Sequence, residues 1–448
     1  MTELSIDFGR SIGKIKPMHA VGQPPFGGGF LKFDFSHMRH LKNANIPYSR
    51  LHDVGGAFGG NRFMDIPNLF RDFDADENDP ASYDFAFTDT LLAAMHEYGI
   101  APYFRLGVTI ENQAHIKAYR IHPPKDYAKW ARICEHVIRH YNEGWADGFT
   151  YGIKYWEIWN EPDNGGTGKN QMWTGTPEQY YELYDVTAKH LKACFGDSIK
   201  VGGYSCCALY GIFFHPERYG VEIEPRDPGS LYEKGMHRVE FFLGFLEYLK
   251  EHRSPMDFFS WHSYLDVQDT LILDSFIHER LSRIGYGGVE MHLTEWNNAH
   301  KNENHGTSQA SAAAAAMMCA MQDSHTEMLC YYDSRLQASS YGGFFAPLTY
   351  EPVCTYYAFA ALGELYALGT QVSCEGMGDG LYALAATDGE RKAVLVVNYS
   401  DRERTVRLNV DESFSAYLLD QTHYLEKQDG GATQLMLGAN QVVLVKNH

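Results

Sequence analysis

At 448 residues the chain is too long for one small domain and fits a barrel of about 250 to 350 residues with an appended module. Its net charge of −19 repels phosphate backbones and anionic lipid heads, so nucleic acid and membrane surfaces are poor partners and a small neutral ligand is favoured. The 44% hydrophobic content is ample for a core, and the 14% aromatic content exceeds what packing alone requires, which is compatible with sugar sites built on aromatic faces.

In chain order, the first residues, Met1-Thr-Glu-Leu-Ser-Ile-Asp-Phe-Gly, have neither a basic n-region nor an apolar h-region. No run of about 18 apolar residues follows, so the chain is expected to be soluble and cytoplasmic unless a signal peptide has been removed. Strand-like runs that precede helix-like runs occur at 16–22, 46–53, 101–108, 155–161, 200–205, 258–264, 290–296 and 327–333. Helical stretches at 127–141, 177–193, 239–251 and 308–321 lie between them. Eight such alternations predict an α/β fold, a (β/α)8 TIM barrel over 14–368. After a helix at 355–368 the pattern changes to short alternating runs such as 380–387, 392–398, 404–410 and 441–445. These predict a C-terminal antiparallel β-sandwich accessory domain over 369–448, joined by a strand from residues 1–13 in which Leu4 to Phe8 alternates. Eight scattered cysteines without a Cys-x-x-Cys spacing are expected to be reduced and mostly buried.

Two glutamates carry the chemistry. Glu161 closes Trp156-Glu157-Ile158-Trp159-Asn160-Glu161-Pro162 at the end of the fourth strand, and Glu295 lies in Leu293-Thr294-Glu295-Trp296-Asn297 at the end of the seventh. Strand tips are where barrels build active sites. Glycosidic cleavage needs one carboxyl to protonate the leaving oxygen and a second, ionised, to attack or stabilise the oxocarbenium-like centre. A lone Asn-Glu-Pro marks no more than an N-capped helix start, but the ordered pair on these strands is specific. Trp156 and Trp159 beside Glu161, and the like charge of Glu295, are expected to raise the Glu161 pKa. At the same mouth, strand two ends in Ser49-Arg50-Leu51-His52-Asp53 and strand six in Trp261-His262-Ser263-Tyr264. Arg50 is the candidate to keep Glu295 ionised, because an opposite charge favours the charged form. His262 and Tyr264 are two apart and share a face, which suits a histidine reaching a sugar hydroxyl and a tyrosine reaching the nucleophile.

Asn-Glu-Pro resembles the acid/base signature of the clan A retaining barrel hydrolases, in which the Asn bonds the sugar 2-hydroxyl. Together with Lys16-Pro17-Met18-His19-Ala20-Val21-Gly22, Arg50-Leu51-His52-Asp53, the two glutamate motifs, Trp261-His262-Ser263-Tyr264 and the terminal sandwich, the chain from about residue 14 onward is similar to glycoside hydrolase family 39. That resemblance implies a retaining mechanism of the β-xylosidase and α-L-iduronidase kind. It implies Glu161 as acid/base and Glu295 as nucleophile, with His52, Asn160, His262 and Tyr264 lining the sugar subsite. After strand eight the chain departs from the family's xylosidases. It reads Tyr331-Tyr332-Asp333-Ser334-Arg335-Leu336-Gln337 in place of a Ser-Asp-x-Phe-Glu-Glu-like segment, which leaves the mechanism intact and puts the sugar in doubt. Asp333 and Arg335 are therefore candidates for substrate contacts or for a mutual ion pair. Trp296, Trp173, Phe344 and Phe345 are candidates to wall a pocket, although Trp173 and the two Phe residues suit loop anchoring equally.

Other motifs fail. His136-x-x-x-His140 lacks the following Glu of a zincin, and Gly55-Gly-Ala-Phe-Gly-Gly60 lacks the dinucleotide order and reads as a rim loop. No metal or cofactor is implied, since side chains supply both protonation and attack. The expected activity is retaining exo-hydrolysis releasing a β-linked xylosyl or related sugar from the non-reducing end of a small oligosaccharide or glycoside. The rival readings are another clan A specificity (β-galactosidase, α-L-arabinofuranosidase, α-L-iduronidase-like or endo-glycanase) and a catalytically silent carbohydrate-binding barrel. Whether the chain is a homo-oligomer stays open.

Overall fold

The protein is described by a computed structural model over residues 2–28, 33–54, 64–110, 120–166, 170–336 and 339–448. The rim loop 55–60 and Gln337 lie outside these residues. Eight parallel strands close into a barrel: Ala20–Gly22, Tyr48–Leu51, Ala101–Leu106, Tyr155–Ile158, Lys200–Cys206, Phe258–Ser263, Glu290–Trp296 and Thr326–Tyr331. Neighbours in the barrel are neighbours in sequence, as a (β/α)8 fold requires.

The helices start where local chemistry dictates. In Pro177–Phe195 the Thr176 hydroxyl accepts from the Gln179 N–H while the Gln179 side chain accepts from the Thr176 N–H, a capping box with Pro177 in the first turn. Asp126 caps Tyr127–Asn142 through the Lys129 N–H, and Thr307 caps Ser308–Met321 through the Ala310 N–H. The fourth strand stops at Ile158, three residues before the predicted end. Trp159 (φ 74°) and Glu161 (φ 45°) are left-handed, a conformation costing about 1 kcal/mol or more per non-glycine residue. The strain is held by the Trp159 N–H donating to the Leu106 carbonyl at 2.7 Å and the Glu161 N–H donating to the Ser205 carbonyl at 3.1 Å.

Two compact units divide the chain. One comprises Ser49–Ser263 and Thr270–Glu295 and contains nearly all of strands two to seven. The other comprises Met1–Tyr48, Tyr264–Asp269 and Trp296–His448; it contains strands one and eight, the helices Ser308–Met321 and Cys354–Leu368, and the C-terminal β domain. That domain is a nine-stranded sheet folded over one apolar core, to which Leu4, Ile6, Val394, Val396, Val406 and Val443 contribute. Its N-terminal strand, Thr2–Lys14, pairs antiparallel with Thr370–Glu375 and, through Thr2 to Leu4, parallel with Arg404–Leu408. Six of the eight cysteines are buried. No helix among the described residues is long and apolar enough to cross a membrane.

Gly363 lies inside the helix Cys354–Leu368, where a Cβ would sit 1.9 Å from the Ala44 carbonyl oxygen. Alanine in a helix interior is ordinarily worth up to about 1 kcal/mol over glycine. Here the clash with backbone reverses the sign, and Gly363→Ala is expected to destabilise by about 1–3 kcal/mol in chemical denaturation, the range for overpacking.

Candidate active site

The centre of the site is a buried guanidinium. Arg50, at the tip of strand two and 1% exposed, donates from Nε to Glu157 Oε2 at 2.7 Å and from Nη1 to Glu295 Oε1 at 3.0 Å. Its Nη2 donates to Asn160 Oδ1 at 2.6 Å and to Ser205 Oγ at 2.8 Å. Burial opposes the charge, but Glu157 and Glu295 outweigh it and push the Arg50 pKa up. Alternation along Tyr155–Ile158 places Glu157 on the face opposite Trp156 and Ile158, inside the barrel with Arg50.

The two sequence-identified glutamates are brought together. His262, from strand six, places Nδ1 2.9 Å from Glu161 Oε1 and 3.6 Å from Glu295 Oε2. One carboxylate oxygen of each glutamate and a ring nitrogen of His262 all lie within 4.8 Å of one another. Glu161 Oε1 accepts from His262, and Oε2 accepts from Asn164 Nδ2 at 2.7 Å. His52 Nε2 lies 3.7 Å from Glu295 Oε1 and 3.2 Å from Asp53 Oδ1. Its Nδ1 accepts from Arg105 Nε at 3.2 Å, and Arg105 is itself fixed by Asp65 at 2.6 Å.

The expected upward shift of Glu161 is not found. Burial pushes the carboxyl up, but the His262 ring, the Arg238 charge and the Cys207 thiol together hold it down to about 2. The two tryptophans do not decide the matter, because their polar edges are turned to backbone: Trp156 Nε1 donates to the Ile153 carbonyl and Trp159 Nε1 to the Met172 carbonyl. Two residues on, Asp163 moves the other way, pushed up to about 6 by complete burial and by the neighbouring Glu161 charge, against Arg238 and the Cys207 N–H.

Arg50, His52, Asn160, Glu161, His262 and Glu295 thus form one constellation within one compact unit. Tyr264, Trp296, Asp333 and Arg335 belong to the other unit. Arg335 Nε donates to Asp333 Oδ2 at 2.8 Å and its Nη2 to Tyr332 Oη at 2.9 Å, so the ion pair forms. Tyr264 packs against Tyr341 at 4.9 Å. Trp296 is fully buried against Tyr331 and Phe359. Trp173 and Phe344 are buried as well, Trp173 donating to the Thr176 carbonyl, so they anchor loops, whereas Phe345 lines a cavity with Arg335, Gly343 and Val353. Residues absent from the sequence reading are Glu157, Arg105, Asp65, Asn164, Asp163 and Arg238. The signal for Glu157 was a charge inside an otherwise apolar strand.

Two sets of side chains bring three potential metal-ligand atoms together among the described residues. In Glu161, His262 and Glu295 the compensating charge is already supplied by Arg50. In Glu135, His190 and Cys194 both Glu135 oxygens are engaged, by Arg139 at 2.7 Å and His190 at 2.6 Å. His140 stacks on Phe85 and bonds Asp89, consistent with a structural role.

Barrel, strand-tip glutamates and guanidinium define a protein of the glycoside hydrolase barrel class. The family model of glycosyl hydrolases family 39 matches residues 63–334, more than half of the chain, and the chain belongs to that family. Residues 378–445 match the model of the C-terminal immunoglobulin-like domain of D-apionate lactonase. A β-xylosidase of Geobacillus stearothermophilus is 22% identical over 292 residues, 58% of this chain and 50% of that protein. A β-xylosidase of Caldicellulosiruptor saccharolyticus is 30% identical over 131 residues, 27% of this chain and 25% of its own. The chain therefore spans half or less of these curated relatives. Among solved structures, a glucosidase from Croceicoccus marinus superposes with a TM-score of 0.78 at 24% identity, covering 100% of this chain and 98% of that one. A monomeric β-xylosidase from Caulobacter crescentus gives 0.69 at 16%, covering 100% and 99%.

Removing Arg50 leaves Glu157 and Glu295 buried without their counter-charge, a change that costs about 3–5 kcal/mol in comparable pairs. Arg50→Met is expected to lower stability by that amount in urea titration, and Glu157→Gln in the Arg50→Met background is expected to restore part of it.

Proposed function

We propose that the protein is a retaining glycoside hydrolase acting from the non-reducing end, with Glu161 as acid/base and Glu295 as nucleophile, and that its substrate carries a terminal β-linked xylosyl or related residue. The observation that carries this reading is the proximity of the two carboxylates, whose nearest oxygens lie within 4.8 Å with His262 between them. Retaining enzymes hold their carboxyl groups about 5–5.5 Å apart, against about 6.5–9.5 Å in inverting ones.

Arg50 donates to Glu295 and aims it, and His52 flanks the same oxygen. Because Arg50 holds the Asn160 carbonyl, the amide Nδ2 is the group directed to the sugar 2-hydroxyl. Glu161 rests ionised among donors, whereas a glycosidic oxygen can only accept, so a bound glycoside favours the protonated acid. In the first step Glu295 forms a bond to the anomeric carbon while the bond to the leaving oxygen breaks and takes the Glu161 proton. The glycosyl ester removes the Glu295 charge, after which Glu161, ionised, takes a proton from the water that releases the sugar.

Xylose is favoured by the names of the relatives, two of which are β-xylosidases. A glucoside is the second reading. The glucosidase that superposes over the whole chain is one support for it. The burial of Trp173 and Phe344 is the other, since it removes bulky side chains that would otherwise have argued against a C6 hydroxymethyl group.

A panel of p-nitrophenyl glycosides tests the sugar: the β-xyloside is expected to be turned over faster than the β-glucoside, β-galactoside, β-fucoside and α-L-arabinofuranoside, and another order replaces xylose with the preferred sugar. Complete inactivity on the panel favours the carbohydrate-binding barrel. For the roles, Glu161→Ala is expected to keep forming the covalent intermediate from activated aryl glycosides and to be rescued by azide with a β-glycosyl azide as product, while Glu295→Ala is inactive on all of them. The reverse rescue pattern exchanges the two roles, and an inverted product seen by NMR refutes retention.

A further inference from the structure

Behind Glu161, on the side away from His262, lies a set of groups that the reaction as outlined does not use. The Asn164 side chain donates to Glu161 Oε2 at 2.7 Å and accepts, through Oδ1, from Arg238 Nη2 at 3.3 Å. Arg238 comes from the helix Tyr232–His252, is 9% exposed, donates from Nη1 to the Ala208 carbonyl at 3.5 Å and lies over the Tyr210 ring. Its Nε is buried without a hydrogen-bond partner. Asp163 is fully buried beside it, with both carboxylate oxygens accepting from the Cys207 N–H at 3.2 and 3.1 Å. One buried cation is thus linked to the Glu161 carboxylate through a single amide.

We propose that Arg238, acting through Asn164, is a positioning residue that fixes the orientation of the Glu161 carboxyl and biases it toward its ionised form, so that it governs how Glu161 divides its time between acid and base. This rests on the assignment of Glu161 as acid/base. The bias has opposite consequences for the two halves of the reaction. An ionised Glu161 is ready to deprotonate water in the second step and unready to protonate a leaving group in the first. Among the described residues, His262 and Glu295 face Glu161 from strands six and seven, Cys207 faces both from the end of strand five, and Asp163, Tyr210, Cys206 and His237 lie around Arg238. Arg238 is the one fixed positive charge in that set. Asp163, pushed up by burial, accepts from the Cys207 N–H.

Arg238→Met removes the charge and keeps the length of the side chain. In that variant the basic limb of the kcat/KM profile for an unactivated alkyl glycoside, where a protonated Glu161 is needed, is expected to move up by about one pH unit, the lower end of what an adjacent charge produces. With a dinitrophenyl glycoside, whose leaving group needs no proton, the first step is expected to change far less than with the alkyl glycoside. At a pH on the shifted limb, where a smaller share of Glu161 is then ionised, release of the covalent intermediate is expected to slow and enlarge the pre-steady-state burst. Arg238→Lys, which keeps the charge, is expected to hold the limb near its wild-type position, and Asn164→Leu, which breaks the link while leaving Arg238 in place, to move it upward by less than Arg238→Met.

Equal losses on both glycosides without a moved limb would mean that Arg238 only supports the fold, and would overturn the proposal. So would a limb that moves as far in Arg238→Lys as in Arg238→Met. If Arg238→Met does not fold, the Lys and Leu variants decide the question by the same limb. The assignment beneath the proposal fails separately: Glu161→Ala losing activity equally on alkyl and dinitrophenyl glycosides refutes Glu161 as acid/base, whereas the expected Glu161→Ala behaviour with an unmoved limb in Arg238→Met refutes Arg238 alone.

Discussion

A guanidinium sealed inside a barrel is tolerable only when its charge is compensated and each of its nitrogens is engaged, because the desolvation penalty of each buried ion is several kcal/mol even after relaxation. Arg50 meets that condition with partners on three other segments: Glu157 and Asn160 at the end of strand four, Ser205 on strand five and Glu295 on strand seven. The fork is planar and its directions are fixed, so the requirement to satisfy it also fixes the relative positions of those side chains. The spacing of the two glutamates is therefore a consequence of charge burial as much as of barrel geometry. Strand alternation brings Glu157 inward, and Glu157 supplies the second negative charge that Glu295 alone would not.

The surroundings of the two carboxylates are built on different principles. Glu295 is neutralised from the barrel interior by a cation it touches, and His52 beside it is held by the Arg105–Asp65 pair. Glu161 is reached by a strand that ends early and by left-handed residues, and it is surrounded by donors that need not remain when a ligand enters. A carboxyl that must change protonation state within one catalytic cycle benefits from such replaceable partners, and one that must stay charged benefits from permanent ones.

The barrel, the sandwich and six members of the constellation were legible in the sequence because each rests on a short local pattern: strand-like runs followed by capped helices, and polar residues at strand tips. What was not legible depends on distant partners. The helix Tyr232–His252 was read from the sequence only over 239–251; in the structure its first turns include Gly235, where the helix meets Gly211 and Phe214 closely. Arg238 sits in that unread turn, which is why it was missed. The direction of the Glu161 shift failed for a related reason. Sequence neighbours such as Trp156 and Trp159 suggested an apolar environment, but the deciding groups are the donors His262, Asn164 and Cys207 and the charge of Arg238. Aromatic residues in loops were equally ambiguous, since Trp173 satisfies the Thr176 carbonyl and Phe344 packs on Tyr331 and Phe359, and nothing local distinguishes that from an open stacking face.

The pairing of Thr2–Lys14 with strands near the other end of the chain has a consequence for biosynthesis. Synthesis runs from the N-terminus, so Leu4 and Ile6, which are destined for the sandwich core, leave the ribosome some four hundred residues before Val406 and Leu408, their eventual neighbours in the sheet. Throughout that interval the strand has no permanent partner for either its apolar side or its backbone groups, and unpaired strands of this kind are where misassembly starts. Joining them closes one of the longest loops the chain can form, which makes this pairing a late event and a slow one. A change beside Thr2–Lys14 would thus be felt in a sheet whose other strands lie beyond residue 369.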